Sequence, residues 1–220
     1  MRKGLTELVF IIDRSGSMSG LESDTIGGFN SLIEKQKKEE GEAYITTVLF
    51  DDQTERLYDR VPVSKVEPMN DKQYFVRGCT ALLDAIGTSI NYIAGVHKNL
   101  APEDRPEKTL FVITTDGMEN SSREYDYRKV KKMVENEKKK YGWEFLFLGA
   151  NIDAIEVAGK FGVSADRAVN YKCDSMGTAH NYKVLTGAVS ALRRSSSKKE
   201  SDMILQECCA EISRDFEARS

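Results

Sequence analysis

Residues 5–20 read LTELVFIIDRSGSMSG: an apolar run that stops at Asp13 and gives way at once to Arg14, Ser15, Gly16 and Ser17. A short apolar stretch bounded by turn residues predicts a strand buried on both faces. Its end presents oxygen-bearing side chains at Asp13, Ser15 and Ser17 on one tight turn. Such a turn suits a capped bend, a phosphate cradle, a catalytic elbow or a metal seat. What the rest of the chain places beside it decides among them.

Along the rest of the chain, strands and helices alternate. A helix is expected from Ser23 to Glu40, with Ile26, Phe29, Ile33 and Gln36 on one face and Gly41 as its stop. AYITTVLF (43–50) and ERLYDRVPV (55–63) flank the turn from Asp51 to Thr54 and read as a hairpin, with Pro62 sending the second strand to a sheet edge. A helix from Ala81 to Val96, the strand TLFVITT (109–115) and a lysine-rich helix from Arg123 to Tyr141 follow. The strand WEFLFLGA (143–150), a short helix from Asp153 to Phe161, the strand RAVNYK (167–172) and a helix from Gly177 to Arg194 complete the alternation. This order predicts an α/β fold: a doubly wound, mostly parallel central sheet with one antiparallel edge strand and helices on both faces.

That domain is expected to span residues 1–194. SSSKKESD (195–202) reads as a linker, and beyond it Ile204, Cys208, Ile212 and Phe216 recur every four residues. Residues 195–220 are therefore expected to form a linker and a short amphipathic C-terminal helix, packed on its own domain or docked on a partner.

Composition narrows the function classes. The chain has 220 residues, 40% hydrophobic and 30% charged, with a net charge of −3, which fits a soluble globular domain and gives no electrostatic footprint for nucleic acid. The apolar run LVFII is too short for a signal-peptide core or a membrane span, so a cytoplasmic location is expected. Cys79, Cys173, Cys208 and Cys209 lack CxxC spacing and are expected to be reduced thiols. With His97 and His180 as the only imidazoles, a structural zinc site has little material.

In an open parallel sheet, ligands sit outside the carboxyl ends of the strands, where the strand order reverses. After the first strand comes Asp13-Arg14-Ser15-Gly16-Ser17; after TLFVITT comes Asp116-Gly117-Met118-Glu119-Asn120; Arg77-Gly78-Cys79-Thr80-Ala81 opens the helix between them. Neighbouring carboxylates repel, and dry ones resist ionisation unless compensated. Arg14 and Arg77 are the nearest bases. A hard divalent cation matches better, because oxygens from Asp, Ser, Thr and water suit Mg²⁺, whereas soft metals want thiols and imidazoles. Gly16, Gly78 and Gly117 would let the backbone bend around a small ion. Plainer roles exist for each residue: Ser15, Ser17 or Thr80 as a helix cap, and Asp116-Gly117 as an ordinary turn.

Asp13-Arg14-Ser15-Gly16-Ser17 resembles the D-x-S-x-S signature of von Willebrand factor type A domains. Thr80 in GCTALLDAI matches that family's lone threonine, and Asp116 in ITTDGMEN its later aspartate. Together they resemble a complete metal-ion-dependent adhesion site, over about residues 5–194. The Asp-x-Ser-Gly-Ser-Met form is similar to intracellular and bacterial stand-alone members. The resemblance implies Mg²⁺, with Mn²⁺ or Ca²⁺ as substitutes, contacted by Ser15, Ser17 and Thr80, while Asp13 and Asp116 act partly through water. It implies a protein partner that presents Asp or Glu to the metal's open position; with the charge and apolar runs above, no nucleic acid, no membrane and no catalytic residue are expected.

The alternatives are a metal-dependent phosphohydrolase or phosphotransferase, and a scaffold with a vestigial metal site. A phosphatase of the haloacid dehalogenase type wants a second carboxylate two residues after Asp13, where Ser15 stands. No GxxxxGK[ST] cradle occurs, and GSMSG departs from the serine-hydrolase elbow because its centre is Met18.

Overall fold

The computed structural model describes residues 1–220. The opening apolar run forms β1 (Arg2–Asp13), buried continuously from Leu5. Successive side chains point to opposite faces of the sheet. Leu8, Phe10 and Ile12 accordingly enter one core cluster, and Val9 and Ile11 another.

The remaining elements follow as α1 (Glu22–Gln36), β2 (Glu42–Phe50), β3 (Thr54–Pro62), α2 (Leu82–Asn99), β4 (Pro106–Thr115) and α3 (Tyr127–Tyr141). Then come β5 (Glu144–Gly149), α4 (Ala154–Lys160), β6 (Ala168–Asn170), α5 (Ser175–Arg194) and α6 (Lys198–Ala218). The strand order is β3-β2-β1-β4-β5-β6. All neighbours are parallel except β2 and β3, so the hairpin forms the antiparallel edge that Pro62 foretold. The first cluster lies under α1, α5 and α6, and the second under α2, α3 and α4. The sheet is doubly wound, as expected. Strand order reverses between β1 and β4, and that places the ligand crevice at their carboxyl ends.

Close packing holds the first layer. A Cβ on Gly28 of α1 would sit 2.3 Å from Cδ2 of Tyr182 on α5, so the Tyr182 ring packs directly on the α1 backbone. Several boundaries differ from expectation. The lysine-rich helix starts at Tyr127 rather than Arg123, because Asp126 caps it by accepting from Lys129 N. The last strand contracts to Ala168–Asn170, since Arg167 closes a 3₁₀ turn before it.

The linker is also shorter than the serine-rich run suggests. Ser197 accepts from Glu200 N and starts α6 at Lys198, leaving only Ser195 to Ser197 between α5 and α6. Leu205, Cys208, Cys209 and Ile212 of α6 are buried at helical spacing in the first cluster, against α5 and β6, with Ile204 at the border of that stripe. Leu205→Ala should therefore cost about 2–5 kcal/mol in urea unfolding, as for other buried leucines. Met203→Ala, at a side chain 61% exposed, should stay within about 0.5 kcal/mol. Equal losses in the two variants would mean that α6 is not anchored through Leu205.

Candidate metal centre

The parallel register of β1 and β4 pairs Ile12 with Thr114, which sets Asp13 beside Thr115 at the strand ends. Thr115 Oγ1 donates to Asp13 Oδ2 at 2.5 Å, and Ser15 N donates to Asp13 Oδ1 at 2.7 Å. From the loop before α2, Tyr74 donates its hydroxyl to the Asp13 carbonyl at 2.7 Å. Beyond Asp13 the chain makes a 3₁₀ turn over Gly16–Met18, pinned to the core by buried Met18. This turn brings Ser15 Oγ to 3.0 Å from Ser17 Oγ, and Ser17 Oγ donates to Asp116 Oδ1 at 2.5 Å.

Thr80 arrives from the third loop. Its N–H donates to Asn120 Oδ1 at 2.9 Å, and its carbonyl accepts from Asn120 N at 3.0 Å. A Cβ on Gly117 would lie 3.3 Å from both Ser17 Oγ and Thr80 Oγ1, so hydroxyls from two loops meet over the backbone of the third. All five residues named from the sequence thus stand together at one end of the sheet.

The capping roles are not the ones adopted. Neither the turn after Ser15 nor the helix after Leu21 has a side-chain cap, and α2 has none at Ala81. The α2 N-terminus is satisfied instead by Glu119 Oε2, which accepts from Leu83 N, and Ser122 Oγ, which accepts from Asp84 N. Of the glycines expected to bend the loops, Gly78 alone takes a positive φ, +66°. Gly117 serves by lacking a side chain at the meeting point of the hydroxyls.

Burial defines the electrostatics. Asp13, Ser15, Thr80 and Asp116 are each buried to within a few per cent of complete exclusion from solvent. Arg14 and Arg77, the nearest bases, do not neutralise Asp13 or Asp116. Arg14 donates to Asp51 at 2.8 Å and to Glu55 at 2.6 Å, and Arg77 donates to Asp51 at 2.8 Å. Asp13 pays for this in its protonation equilibrium: burial pushes its pKa from 3.8 to about 6, against the pull of the Thr115 and Ser15 hydrogen bonds, with the charge of Asp116 adding to the rise.

Several contacts were not apparent from sequence. Asn151, in a left-handed conformation at φ +56°, donates Nδ2 to the Asp116 carbonyl at 3.3 Å. The Cys173 thiol donates to Asp116 Oδ2 at 3.5 Å, and burial, followed by the Asp116 charge, pushes its pKa up to about 11. Cys173 is therefore a protonated donor. The polar residues after β4 and β5 were visible in the sequence, but which oxygen each serves depends on the loop conformations.

The donor set fits a hard divalent cation. It consists of hydroxyls and carboxylates, the oxygen donors such an ion takes, and no group of three or more His, Cys, Asp or Glu side chains suited to a metal occurs in the protein. No family model matches the sequence, and no curated protein matches it. Solved structures do share its architecture. Proximal thread matrix protein 1 from the mussel byssus, with a zinc-occupied MIDAS motif, matches at 15% identity over 86% of this chain and 46% of that one, with a TM-score of 0.55. A von Willebrand factor type A protein from Catenulispora acidiphila matches at 12% identity over 86% and 43%, with a TM-score of 0.54. The fold is the von Willebrand factor type A fold. Manganese-loaded TRAP protein from Plasmodium vivax matches it at 15% identity over 81% of this chain and 72% of that one, with a TM-score of 0.53. At these identities the likeness is one of backbone architecture. The chain spans less than half the length of the mussel and Catenulispora chains.

The Asp13 shift carries a pH signature. Because folding raises its pKa, the folded protein binds this proton more tightly than the unfolded chain does. The cost is absent below the unfolded value near 3.8, grows as pH climbs to about 6, and is complete above it. Relative to Asp13→Asn, metal-free wild type in EDTA should lose up to about 3 kcal/mol between pH 4 and 7 in denaturant titrations. A difference between the two proteins that is flat across this window would contradict the assigned environment of Asp13.

Proposed function

We propose that these loops seat a divalent cation, Mg²⁺ with Mn²⁺ or Ca²⁺ as substitutes, and that the protein uses the seated cation to bind an Asp or Glu side chain of a partner protein. One observation carries this reading. Asp13 and Asp116 are buried carboxylates that no base neutralises, and both are tied to the serine turn, Asp13 through Ser15 N and Asp116 through the Ser17 hydroxyl. Ser15, Ser17 and Thr80 would contact the ion through neutral oxygens. Asp13, held by Thr115, and Asp116, held by Asn151 and Cys173, would balance its charge partly through water. When bound, the cation would supply an electrophilic position able to accept an outside carboxylate. Holding it mainly through hydroxyls leaves most of its positive character for that partner.

The zinc-occupied mussel protein and the manganese-loaded Plasmodium protein support this reading through their shared architecture, as analogy between folds. We read the chain as a binding module and not an enzyme. Ser15 occupies the place of a dehalogenase-type acid/base, and neither histidine lies in the three loops. The Asp-x-Ser-Gly-Ser-Met turn supports placement with the intracellular and bacterial stand-alone type, and four unpaired cysteines support a cytoplasmic setting. No helix is long and apolar enough to cross a membrane.

Calorimetry tests the metal directly. Titration of the wild type with MgCl₂ or MnCl₂ should give saturable heat, and Asp13→Ala should abolish it. At metal concentrations about 100-fold above Kd, the stability gain should be about 2.7 kcal/mol. No heat and no change in melting temperature would favour the vestigial scaffold. Turnover of generic phosphate esters that disappears in Asp13→Ala would favour the phosphohydrolase.

Thr80→Ala tests the partner contact. It should weaken metal-dependent capture of a carboxylate-bearing protein at least about ten-fold, since loss of an outer-shell partner alone costs about 10–100-fold in metal affinity. Its circular dichroism should remain that of the wild type. An unfolded Thr80→Ala protein would assign the residue to structure instead.

A further inference from the structure

The turn after β2 carries Asp51, whose side chain is wholly excluded from solvent. Its Oδ2 accepts from Arg14 Nε and from Arg77 Nε, each at 2.8 Å, and its Oδ1 accepts from Gln53 N at 2.8 Å. Its main-chain carbonyl accepts from Ala81 N at 2.8 Å. Arg14 lies between Asp13 and Ser15, while Arg77 and Ala81 bracket Thr80. A single residue in the turn after β2 thus grips both hydroxyl-bearing loops. Burial works against the charge on Asp51, but hydrogen bonds from Arg77, Gln53 N and Arg14 outweigh it and hold the carboxyl below its usual range.

The arrangement is costly for what it adds to stability. The Arg14 guanidinium is as fully buried as Asp51, and both arginines pack on the Phe75 ring, at 5.6 and 5.2 Å from its centroid. Desolvating two charges offsets most of their attraction, so an apolar pair of similar volume would stabilise the fold at least as well. What the ion pair fixes is position. Between the same loops, the direct main-chain bonds are Arg77 N to the Arg14 carbonyl at 2.9 Å and Gly16 N to the Gly78 carbonyl at 3.2 Å. Those bonds set the loops side by side, and Asp51 adds a side-chain tie between them, with its carbonyl holding Ala81 next to Thr80.

We infer that Asp51 is a positioning residue of the metal centre, clamping Arg14 and Arg77 so that the serine turn and Thr80 present their hydroxyls to one ion. This rests on the metal-binding reading above. Removing the clamp lowers metal affinity in addition to the stability lost by leaving buried Arg14 with Glu55 as its remaining partner, while β1, β2 and β4 keep their backbone pairing.

The test is Mn²⁺ calorimetry on the full chain, with melting temperature in EDTA as the control. Asp51→Asn should weaken Mn²⁺ binding about 10–100-fold, the range seen when outer-shell partners of a metal site are removed. Arg77→Gln should show a smaller loss, and Arg77→Lys, which keeps a charged donor, should recover most of it. A lower melting temperature in EDTA with wild-type Mn²⁺ affinity would assign Asp51 a purely structural role and overturn the inference alone. Wild type that takes up no Mn²⁺ would overturn the metal reading and this inference with it. If Asp51→Asn does not fold, Arg77→Gln decides, since its side chain is 44% exposed and dispensable to the core; unaltered affinity there overturns the clamp.

Discussion

The adjacency of β1 and β4, parallel neighbours at the centre of the sheet yet far apart in the chain, constrains everything else. The chain winds outward through β2 and β3, then returns to lay β4 on the other side of β1. The helices that follow β1 and precede β4 depart to opposite faces, and a crevice opens at the strand ends. One register then serves two purposes. It points Leu110 and Val112 into one core cluster and Phe111 and Ile113 into the other, and it sets Thr115 against Asp13. A slip of one residue would exchange the two faces of β4 as well as separate the site, so core packing specifies the site geometry.

Charge is distributed in the crevice with a consistent logic. Arg14 adjoins Asp13 in sequence and Arg77 stands three residues before Thr80, so each loop brings a base towards the carboxylates. Both turn instead to Asp51, while Asp13 stays buried and hard to ionise. A site left negative and dry opposes folding and favours cation binding through the same free energy, because whatever relieves the buried charge also stabilises the fold. The arginines give the loops their spacing and leave the charge for an ion to satisfy.

Much of this is legible in the amino-acid sequence. The alternation of apolar runs with helical periods specifies a parallel, doubly wound sheet, and the turn after β1 names Asp13, Ser15 and Ser17 directly. Thr80 and Asp116 need the family resemblance, since a lone threonine and an Asp-Gly dipeptide have commoner uses. The clamp is not legible. Asp51 reads as a hairpin turn residue, and its role depends on the side-chain paths of Arg14 and Arg77 across three loops. Asn151 and Cys173 are hidden for the same reason. The start of α6 is different, because its signal is present: Ser197 stands three residues before Glu200, a capping pattern obscured by the serine-rich run around it.

The loops that form the site are coupled to each other more tightly than to solvent. Thr80 and Asn120 exchange a reciprocal pair of hydrogen bonds, and Glu119 and Ser122 occupy the first N–H groups of α2. Asp84, one residue further along α2, accepts from Arg123 N, Glu124 N and Tyr125 N in return. The segment after Asp116 is thereby zipped along the start of α2, and any shift of Thr80 relative to Asp116 must break that zipper and expose orphan helix donors. Ser17, bonded to Asp116, ties the first loop to the same unit. The hydroxyls are held in place before any ion arrives, so little ordering entropy is left to oppose its binding. Affinity states that depend on moving Thr80 would have to draw on the α2 N-terminus. In this protein, that helix end and the three loops form one mechanical element.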